Sequence, residues 1–188
     1  MMRIITGSAR GIKLLTLEGT ETRPTAERTK EAVFSMLQFD IEGRRVLDMF
    51  AGSGQMALEA LSRGASSAVI LDKSKGAIDI IRKNAEKTRL VDKCNIFCAD
   101  FKDYLIRNKG DKFDIVFIDP PYDSDLVKKS LLLLVEVDAL KPTTIIVCES
   151  NAGNRAEDDK DVLELYDIVK SGKYGIAHVN ILTPKGEH

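Results

Sequence analysis

The stretch that decides the fold is Arg45-Val46-Leu47-Asp48-Met49-Phe50-Ala51-Gly52-Ser53-Gly54-Gln55-Met56-Ala57-Leu58-Glu59-Ala60. It is an apolar run that ends in an acid, then a turn with two glycines, then an apolar-periodic segment, which predicts a strand, a loop and the start of a helix. In open α/β sheets a loop of this kind places backbone N–H groups and the helix dipole against a ligand. The stretch therefore predicts a ligand-binding turn after the first strand.

A Gly-x-Gly turn alone fits NAD, FAD and nucleoside ligands equally well. Asp48, four residues before Gly52, narrows the choice, because a carboxylate repels a pyrophosphate and attracts an ammonium group. A ligand that carries both an amino acid and a nucleoside fits best, and S-adenosylmethionine (SAM) is the obvious candidate. The alternative is that Asp48 only accepts hydrogen bonds from N–H groups of the turn itself.

Strands and helices alternate from residue 46 onward, which predicts parallel strands joined by right-handed crossovers. Five parallel strands are predicted at 46–50, 68–72, 94–98, 113–118 and 144–149. After a polar surface loop at 150–161, strands 163–169 and 175–182 are expected to form an antiparallel hairpin around Ser171-Gly172-Lys173. The predicted fold is a Rossmann-like α/β domain with a mostly parallel seven-stranded sheet over residues 44–188, preceded by an extension at 1–43 with a short β-hairpin and a helix.

Acidic residues end the next two predicted strands as well. Asp72 is placed to accept hydrogen bonds from ribose hydroxyls, as in dinucleotide folds, although an ordinary strand-end acid would look the same. Asp100 could accept from an adenine amino group while Phe101 packs on the ring. Acids at the ends of three successive strands, behind a Gly-x-Gly turn, predict one shared nucleoside site.

Asp119-Pro120-Pro121-Tyr122 follows the fourth predicted strand and is the most specific motif in the chain. Two prolines hold the backbone rigid there, so that a carboxylate and backbone carbonyls become fixed acceptors. Such acceptors can take both N–H bonds of a nucleobase amine and direct its lone pair out of the ring plane, towards an electrophile. Tyr122 would stack on the base. A purely structural Pro-Pro turn is the alternative.

Composition limits the other possibilities. The formal net charge is −1, and three cysteines with two histidines give no confident metal-ligand cluster. No apolar run approaches the roughly 20 residues needed to cross a bilayer, and the N-terminus lacks the long apolar region of a secretion signal. We expect a cytoplasmic, metal-free monomer without a membrane partner. Basic residues exceed acidic ones over residues 1–30, which suggests local contact with phosphates or merely a solvated surface.

Several motifs together resemble one family. Asp48 to Gly54 with Asp119 to Tyr122 looks like the SAM-dependent amino-methyltransferases that carry a D/N-PP-Y/F motif. More narrowly, the chain resembles the RsmD family, which methylates N2 of guanine 966 in 16S ribosomal RNA. The segments that carry this likeness are Gly7-Ser8-Ala9-Arg10-Gly11-Ile12-Lys13-Leu14, Arg23-Pro24-Thr25-Ala26-Glu27-Arg28-Thr29-Lys30-Glu31, Leu58-Glu59-Ala60-Leu61-Ser62-Arg63-Gly64-Ala65 and Lys173-Tyr174-Gly175.

The resemblance implies a class I SAM-dependent methyltransferase fold and three groups of site residues. The SAM site would comprise Asp48, Phe50, Ala51, Gly52, Ser53, Gly54, Asp72, Lys73, Asp100 and Phe101. Asp119, Pro120, Pro121 and Tyr122 would form the catalytic motif. Contacts to 16S ribosomal RNA, or to the small-subunit particle, would come from Arg10, Lys13, Arg23, Thr25 and Arg28.

Other functions stay open at the level of sequence. The same motif would serve N6 of DNA adenine, a protein amide or a small-molecule amine, although no separate DNA-reading domain is visible. A SAM-binding or RNA-binding module without catalysis is a different class of function. The intact Asp119-Pro120-Pro121-Tyr122 motif disfavours it, because a pure binder does not need a rigid amine-acceptor site.

Overall fold

The computed structural model describes residues 2–17, 24–121, 125–150 and 155–186, and side chains of the first helix from residue 27 onward. The helices are α1 Pro24–Met36, α2 Gln55–Ser62, α3 Lys75–Thr88, α4 Phe101–Arg107, α5 Leu126–Glu136 and α6 Lys160–Leu165. The strands are β1 Arg45–Asp48, β2 Ser67–Asp72, β3 Cys94–Cys98, β4 Phe113–Ile118, β5 Leu140–Ser150, β6 Tyr166–Tyr174 and β7 Ala177–Pro184.

All seven strands form one sheet in the order β3-β2-β1-β4-β5-β7-β6. Strands β1 to β5 run parallel to one another, and β7 pairs antiparallel with both β5 and β6. The predicted fold class is thereby confirmed. The strand order reverses between β1 and β4, which is the place where open α/β sheets bind their ligands.

Alternating side chains of the sheet belong to two separate hydrophobic cores. On the first face, Val46, Phe117 and Val147 pack with side chains of the N-terminal residues and of helices α1, α2 and α3. On the second face, neighbours such as Leu47 pack with α4, α5 and α6. Because successive residues of a strand point to opposite faces, residues two positions beyond a first-face residue return to the first face.

Residues 2–17, which we call the N-terminal arm, form the predicted hairpin around an antiparallel bridge between Arg3 and Lys13. The arm is fixed to α2 through the carboxylate of Glu59, which is fully buried. This carboxylate accepts hydrogen bonds from the backbone N–H groups of Ile5 at 2.7 Å and Thr6 at 3.0 Å. The arm therefore covers the first face of the sheet together with α1.

The strands and the turn of the C-terminal hairpin lie at different sequence positions from those predicted. The segment expected to begin a strand at residue 163 is instead the end of α6, because Asp159 caps that helix by accepting hydrogen bonds from Asp161 N and Val162 N. Residues 171–173, predicted as the turn, lie inside β6. The chain turns at Gly175 and Ile176, where Gly175 has a φ of 65°.

Candidate active site

A cavity of about 660 Å³ lies over the carboxyl ends of β1, β2, β4 and β5. Its size falls in the range of roughly 300–1,000 Å³ that is typical of small-molecule sites. The N-terminal arm contributes Met2, Thr16 and Leu17 to its wall, and α1 contributes residues 29, 30 and 33. The cavity is thus closed from the first face of the sheet by elements that precede β1 in the chain.

The turn after β1 presents bare backbone to this cavity. Gly52 has a φ of 56°, and a β-carbon built on it would meet no atom within 4 Å. Gly54 has a φ of 77°, and a β-carbon there would lie 3.3 Å from the side chain of Ile81 in α3. The first glycine therefore leaves space for a ligand, and the second allows α3 to pack closely against the turn.

Asp72 joins the ends of β1 and β2. Its carboxylate accepts hydrogen bonds from Gly52 N at 2.9 Å and from Ser74 N at 2.8 Å. These two bonds fix the carboxylate at the cavity wall, next to Lys73, which also lines the cavity. The remaining lone pairs of the Asp72 carboxylate can accept hydrogen bonds from hydroxyl groups of a ligand.

Asp100 and Phe101 lie in the same wall, at the start of α4. The Asp100 carboxylate caps this helix by accepting a hydrogen bond from Lys102 N at 2.9 Å. Phe101 is buried, and its ring centroid lies 5.2 Å from that of Phe50. With Ala99, these rings make an apolar wall of the kind that holds a flat heterocycle, edged by one acceptor.

Asp48 is placed differently from the other acids, because it lies beneath the turn and is absent from the residues that line the cavity. Its carboxylate accepts a hydrogen bond from Ala57 N at 3.2 Å. Burial, with a smaller contribution from the charge of Asp72, raises its pKa to about 7, although hydrogen bonds from Ala57 and Phe50 N–H groups oppose that shift. These hydrogen bonds tie Asp48 to Phe50 in the turn and to Ala57 in the first turn of α2.

Asp119, Pro120 and Pro121 form the opposite end of the cavity, directly after β4. The Asp119 side chain opens onto the cavity, but surrounding protein removes much of its hydration. Burial, then the charge of Glu149, then that of Asp48 raise the pKa of Asp119 well above its usual value. Tyr122 lies outside the described residues.

Several residues that border the cavity were not predicted from the sequence. Thr29 and Lys30 come from α1, Glu149 from the end of β5, and Ile176 from the hairpin turn. Glu149 could have been found, because it is an acid at the end of a predicted strand, like the acids that were recognised. Positions 29 and 30 on α1 carry no comparable signal, since only the packing of the helix brings them to the cavity.

The basic residues predicted to contact RNA lie on the N-terminal arm and α1. Arg10 and Lys13 lie on the arm and Arg28 lies on α1, and all three residues are exposed. Arg23 and the side chain of Thr25 lie outside the described part of the chain.

Neither a metal-ligand cluster nor a membrane-spanning helix is found among the described residues. They contain no group of three or more histidine, cysteine, aspartate or glutamate side chains that could hold a metal ion. Within the same ranges, no helix has the length and apolar character needed to cross a bilayer.

Comparison with known proteins agrees with this architecture. The sequence model of the family described as "Conserved hypothetical protein 95" matches residues 2–183. Ribosomal RNA small subunit methyltransferase D of Haemophilus influenzae is 34% identical over 93% of this chain and 90% of its own length. YlbH of Bacillus subtilis is 33% identical over 98% of this chain and 100% of its own.

A solved structure shows the same fold over the whole length. The yhhF protein of Escherichia coli superposes with a TM-score of 0.85, is 26% identical, and the match covers 99% of each chain. The family match, the relatives and this superposition agree with one another. The chain belongs to the RsmD family of SAM-dependent methyltransferases.

Proposed function

We propose that this protein transfers a methyl group from SAM to the exocyclic N2 amine of a guanine in 16S ribosomal RNA. The observation that carries the proposal is that the Asp119-Pro120-Pro121 corner and the Gly52 turn border one cavity. A donor held at the turn and an amine held at the corner would face each other within it. The small-subunit rRNA substrate is supported by the name of the Haemophilus influenzae relative.

The residues at the donor end of the cavity offer the chemistry that SAM requires. The turn from Phe50 to Gly54 would lie along the amino-acid part of the donor, with open space at Gly52. Asp72 would accept from the ribose hydroxyls beside Lys73, and Phe101 would pack on the adenine while Asp100 accepts from its amino group. Bound there, SAM would supply an electrophilic methyl group.

Asp48 would act from behind the turn. Its carboxylate accepts the Ala57 N–H and so holds the start of α2 against β1. When ionised, it would also place a negative charge behind the part of the turn that receives the donor's ammonium group. Asp48 would therefore support the cofactor site through the turn.

At the other end of the cavity, Asp119 would orient the target amine. Its carboxylate and the carbonyl group of Pro120 would accept the two N–H bonds of the amine, which directs the nitrogen lone pair towards the donor. The raised pKa of Asp119 makes its carboxylate a better acceptor for the proton that the amine must lose. Holding the amine in line would supply much of the acceleration, and Tyr122 would stack on the base.

The N-terminal arm and α1 would bring the RNA to the cavity mouth. Arg10, Lys13 and Arg28 are exposed on elements that border the cavity, and Arg23 and Thr25 belong to the same part of the sequence. Their contacts would go to phosphates and would position the substrate without reading its sequence. Because a stacked guanine cannot reach the Asp-Pro-Pro corner, the target must lie in a loop or be flipped out.

Labelled SAM, incubated separately with small-subunit particles, naked 16S RNA and DNA, tests this function. We expect label in the ribosomal substrate, recovered as N2-methylguanosine after digestion. Label in DNA alone would assign a different amine, and label in no substrate would favour a binding module without catalysis.

The Asp119→Ala variant tests the division of roles within the cavity. We expect transfer to fall by at least about 100-fold, because one preorganised acceptor is lost, while the Kd for SAM in calorimetry stays within about twofold. Asp125→Ala is the matched control, since Asp125 is exposed and makes no side-chain cap hydrogen bond at the start of α5. Loss of SAM binding together with transfer in Asp119→Ala would contradict the assignment.

A further inference from the structure

Glu149 is a second carboxylate at the amine end of the cavity. It belongs to β5, which pairs in parallel with β4 through Phe117 with Val147 and Ile118 with Cys148. Asp119 and Glu149 each follow this last pair by one residue, so continuing the same register would place them side by side. The two acids therefore end adjacent strands at the same level.

Both side chains also belong to the same face of the sheet. Phe117 and Val147 are buried in the core of the first face. Asp119 follows Phe117 by two residues and Glu149 follows Val147 by two residues, which is the spacing of side chains on one face. Both acids line the cavity. The charge of Glu149 raises the pKa of Asp119, as expected for neighbouring carboxylates.

The surroundings of this pair are mainly apolar. Val147 lies two residues before Glu149 in β5, and Val179 in β7 is the register partner of Glu149. Ile176, at the hairpin turn, is 58% exposed and also lines the cavity. These side chains offer flat contact to a base and leave the polar recognition to the carboxylates.

Lys30, the basic residue that lines this region from α1, is engaged elsewhere. Its ammonium group donates a hydrogen bond to the backbone oxygen of Arg3 at 2.5 Å and lies 3.7 Å from a carboxylate oxygen of Glu59. Carboxylates that follow two adjacent strands, Asp119 and Glu149, thus border the amine end of the cavity.

We propose that Glu149 reads the target base by accepting the N1–H bond of guanine, beside the N2 amine held by Asp119 and Pro120. In guanine, N1–H and the N2 amine are adjacent donors on one edge of the ring. In adenine and cytosine, the ring nitrogen adjacent to the amine carries a lone pair, which would face the Glu149 carboxylate without a hydrogen between them. A site built to pair with a donor rejects an analogue that lacks it, because two acceptors would then face each other with no hydrogen between them.

This inference rests on the proposed function and adds the choice of base to it. Glu149 would touch the base but not the reacting nitrogen, so it acts as a specificity-determining residue. The same geometry explains how a cavity without a duplex-reading element can separate guanine N2 from adenine N6.

The test compares guanine with 2-aminopurine, which keeps the amine at C2 but has a lone pair at N1. Small-subunit particles are reconstituted with either base at the methylated position, and kcat/KM is measured for wild type and Glu149→Gln. We expect wild type to prefer guanine by about 100-fold or more, and Glu149→Gln to lower that preference below about tenfold. Each preference is a ratio within one protein preparation, so partial misfolding of a variant cancels.

Glu164→Gln is the matched control, because Glu164 is an exposed acid of α6 that does not line the cavity. It should keep the wild-type preference, and Glu149→Gln should keep the wild-type Kd for SAM. If wild type methylates both bases equally well, or if Glu149→Gln keeps the wild-type preference, the role of Glu149 is overturned while the proposed function stands. Failure of wild type to methylate the guanine particle at all would overturn the proposed function itself, and this inference with it.

Discussion

The Asp48 carboxyl group belongs to a residue that is 2% exposed, and the turn that it supports depends on an acid with a pKa of about 7. An unfolded chain would release the same proton near pH 3.8. The folded state therefore holds this proton more tightly than the unfolded state does. By linkage, the contribution of Asp48 to stability is most favourable below about pH 4 and worsens as the pH rises to about 7.

Replacing Asp48 by asparagine should remove this dependence. At pH 7 and above, the amide of the variant does not carry the buried charge, so the free energy of unfolding of Asp48→Asn should rise relative to wild type by up to about 4 kcal/mol between pH 4 and 8. Urea denaturation at several pH values measures the difference, and Asp92→Asn, at an exposed site, is the control. A difference between Asp48→Asn and wild type that does not change with pH would exclude this account.

The pH dependence of transfer should report Asp119. The ionised carboxylate is the form that accepts the amine protons, so kcat/KM should fall as the pH drops through the raised pKa of Asp119. Glu149 from β5 and Asp48 from β1 both raise that pKa, while the ammonium of Lys30 on α1 is directed to Glu59 and the Arg3 carbonyl. Glu149→Gln should consequently move the acidic limb of the profile to lower pH, whatever its effect on the maximum rate. An unmoved limb would show that Asp119 and Glu149 do not interact in the working enzyme.

At the scale of elements, the N-terminal arm is held by a contact that leaves no room for a side chain. Gly7 has a φ of 89°, and a β-carbon built on it would lie 1.8 Å from the backbone oxygen of Ser62 in α2. Ser8 N donates to that same oxygen at 2.9 Å. Gly11 has a similar φ of 81°, but a β-carbon there would meet no atom within 4 Å.

The two glycines form a matched pair of substitutions. Both Gly7→Ala and Gly11→Ala place a side chain on left-handed backbone, at a cost of roughly 1–2 kcal/mol, but only Gly7→Ala also drives the arm away from α2. Because Met2, Thr16 and Leu17 of the arm line the cavity, Gly7→Ala should weaken SAM binding by about tenfold or more and expose the arm to proteases. Calorimetry and limited proteolysis measure these effects. Equal behaviour of the two variants would mean that strain alone, and not the contact with α2, governs the arm.

Sequence patterns predicted some elements well and others poorly, for physical reasons. The apolar runs of β1, β2 and β4 are buried on both faces, so each run marks its strand directly. The C-terminal hairpin was misplaced because Ser171-Gly172-Lys173 has the residue types of a turn, whereas pairing with β7 keeps it extended. Likewise, strand-end acids could be found in the sequence, but Thr29 and Lys30 reach the cavity only through the packing of α1.

At the scale of the whole molecule, an overall charge of −1 does not prevent local attraction to RNA. The exposed cations Arg10, Lys13 and Arg28 lie on the arm and α1, which cover the first face of the sheet and border the cavity. Helix α6, with its acidic first turn, packs on the second face. Arg10, Lys13 and Arg28 place positive charge beside the cavity, so RNA should approach from the first face.

Salt dependence of binding can locate that approach. If the three arm and α1 cations each contact a phosphate, the triple variant Arg10→Ala, Lys13→Ala, Arg28→Ala should bind with a weaker salt dependence. The negative slope of the logarithm of the binding constant against the logarithm of salt concentration should become shallower by about 2 for a single-stranded target. The control removes three exposed cations from other elements, Arg107→Ala, Lys109→Ala and Lys160→Ala, and so has the same net charge. Filter binding of small-subunit particles at several salt concentrations measures both slopes, and calorimetry should give an unchanged Kd for SAM. The two triple variants have the same net charge, so only contacts at fixed phosphates can make their salt dependence differ. If both slopes change equally, the attraction is spread over the surface and the arm has no special part in it.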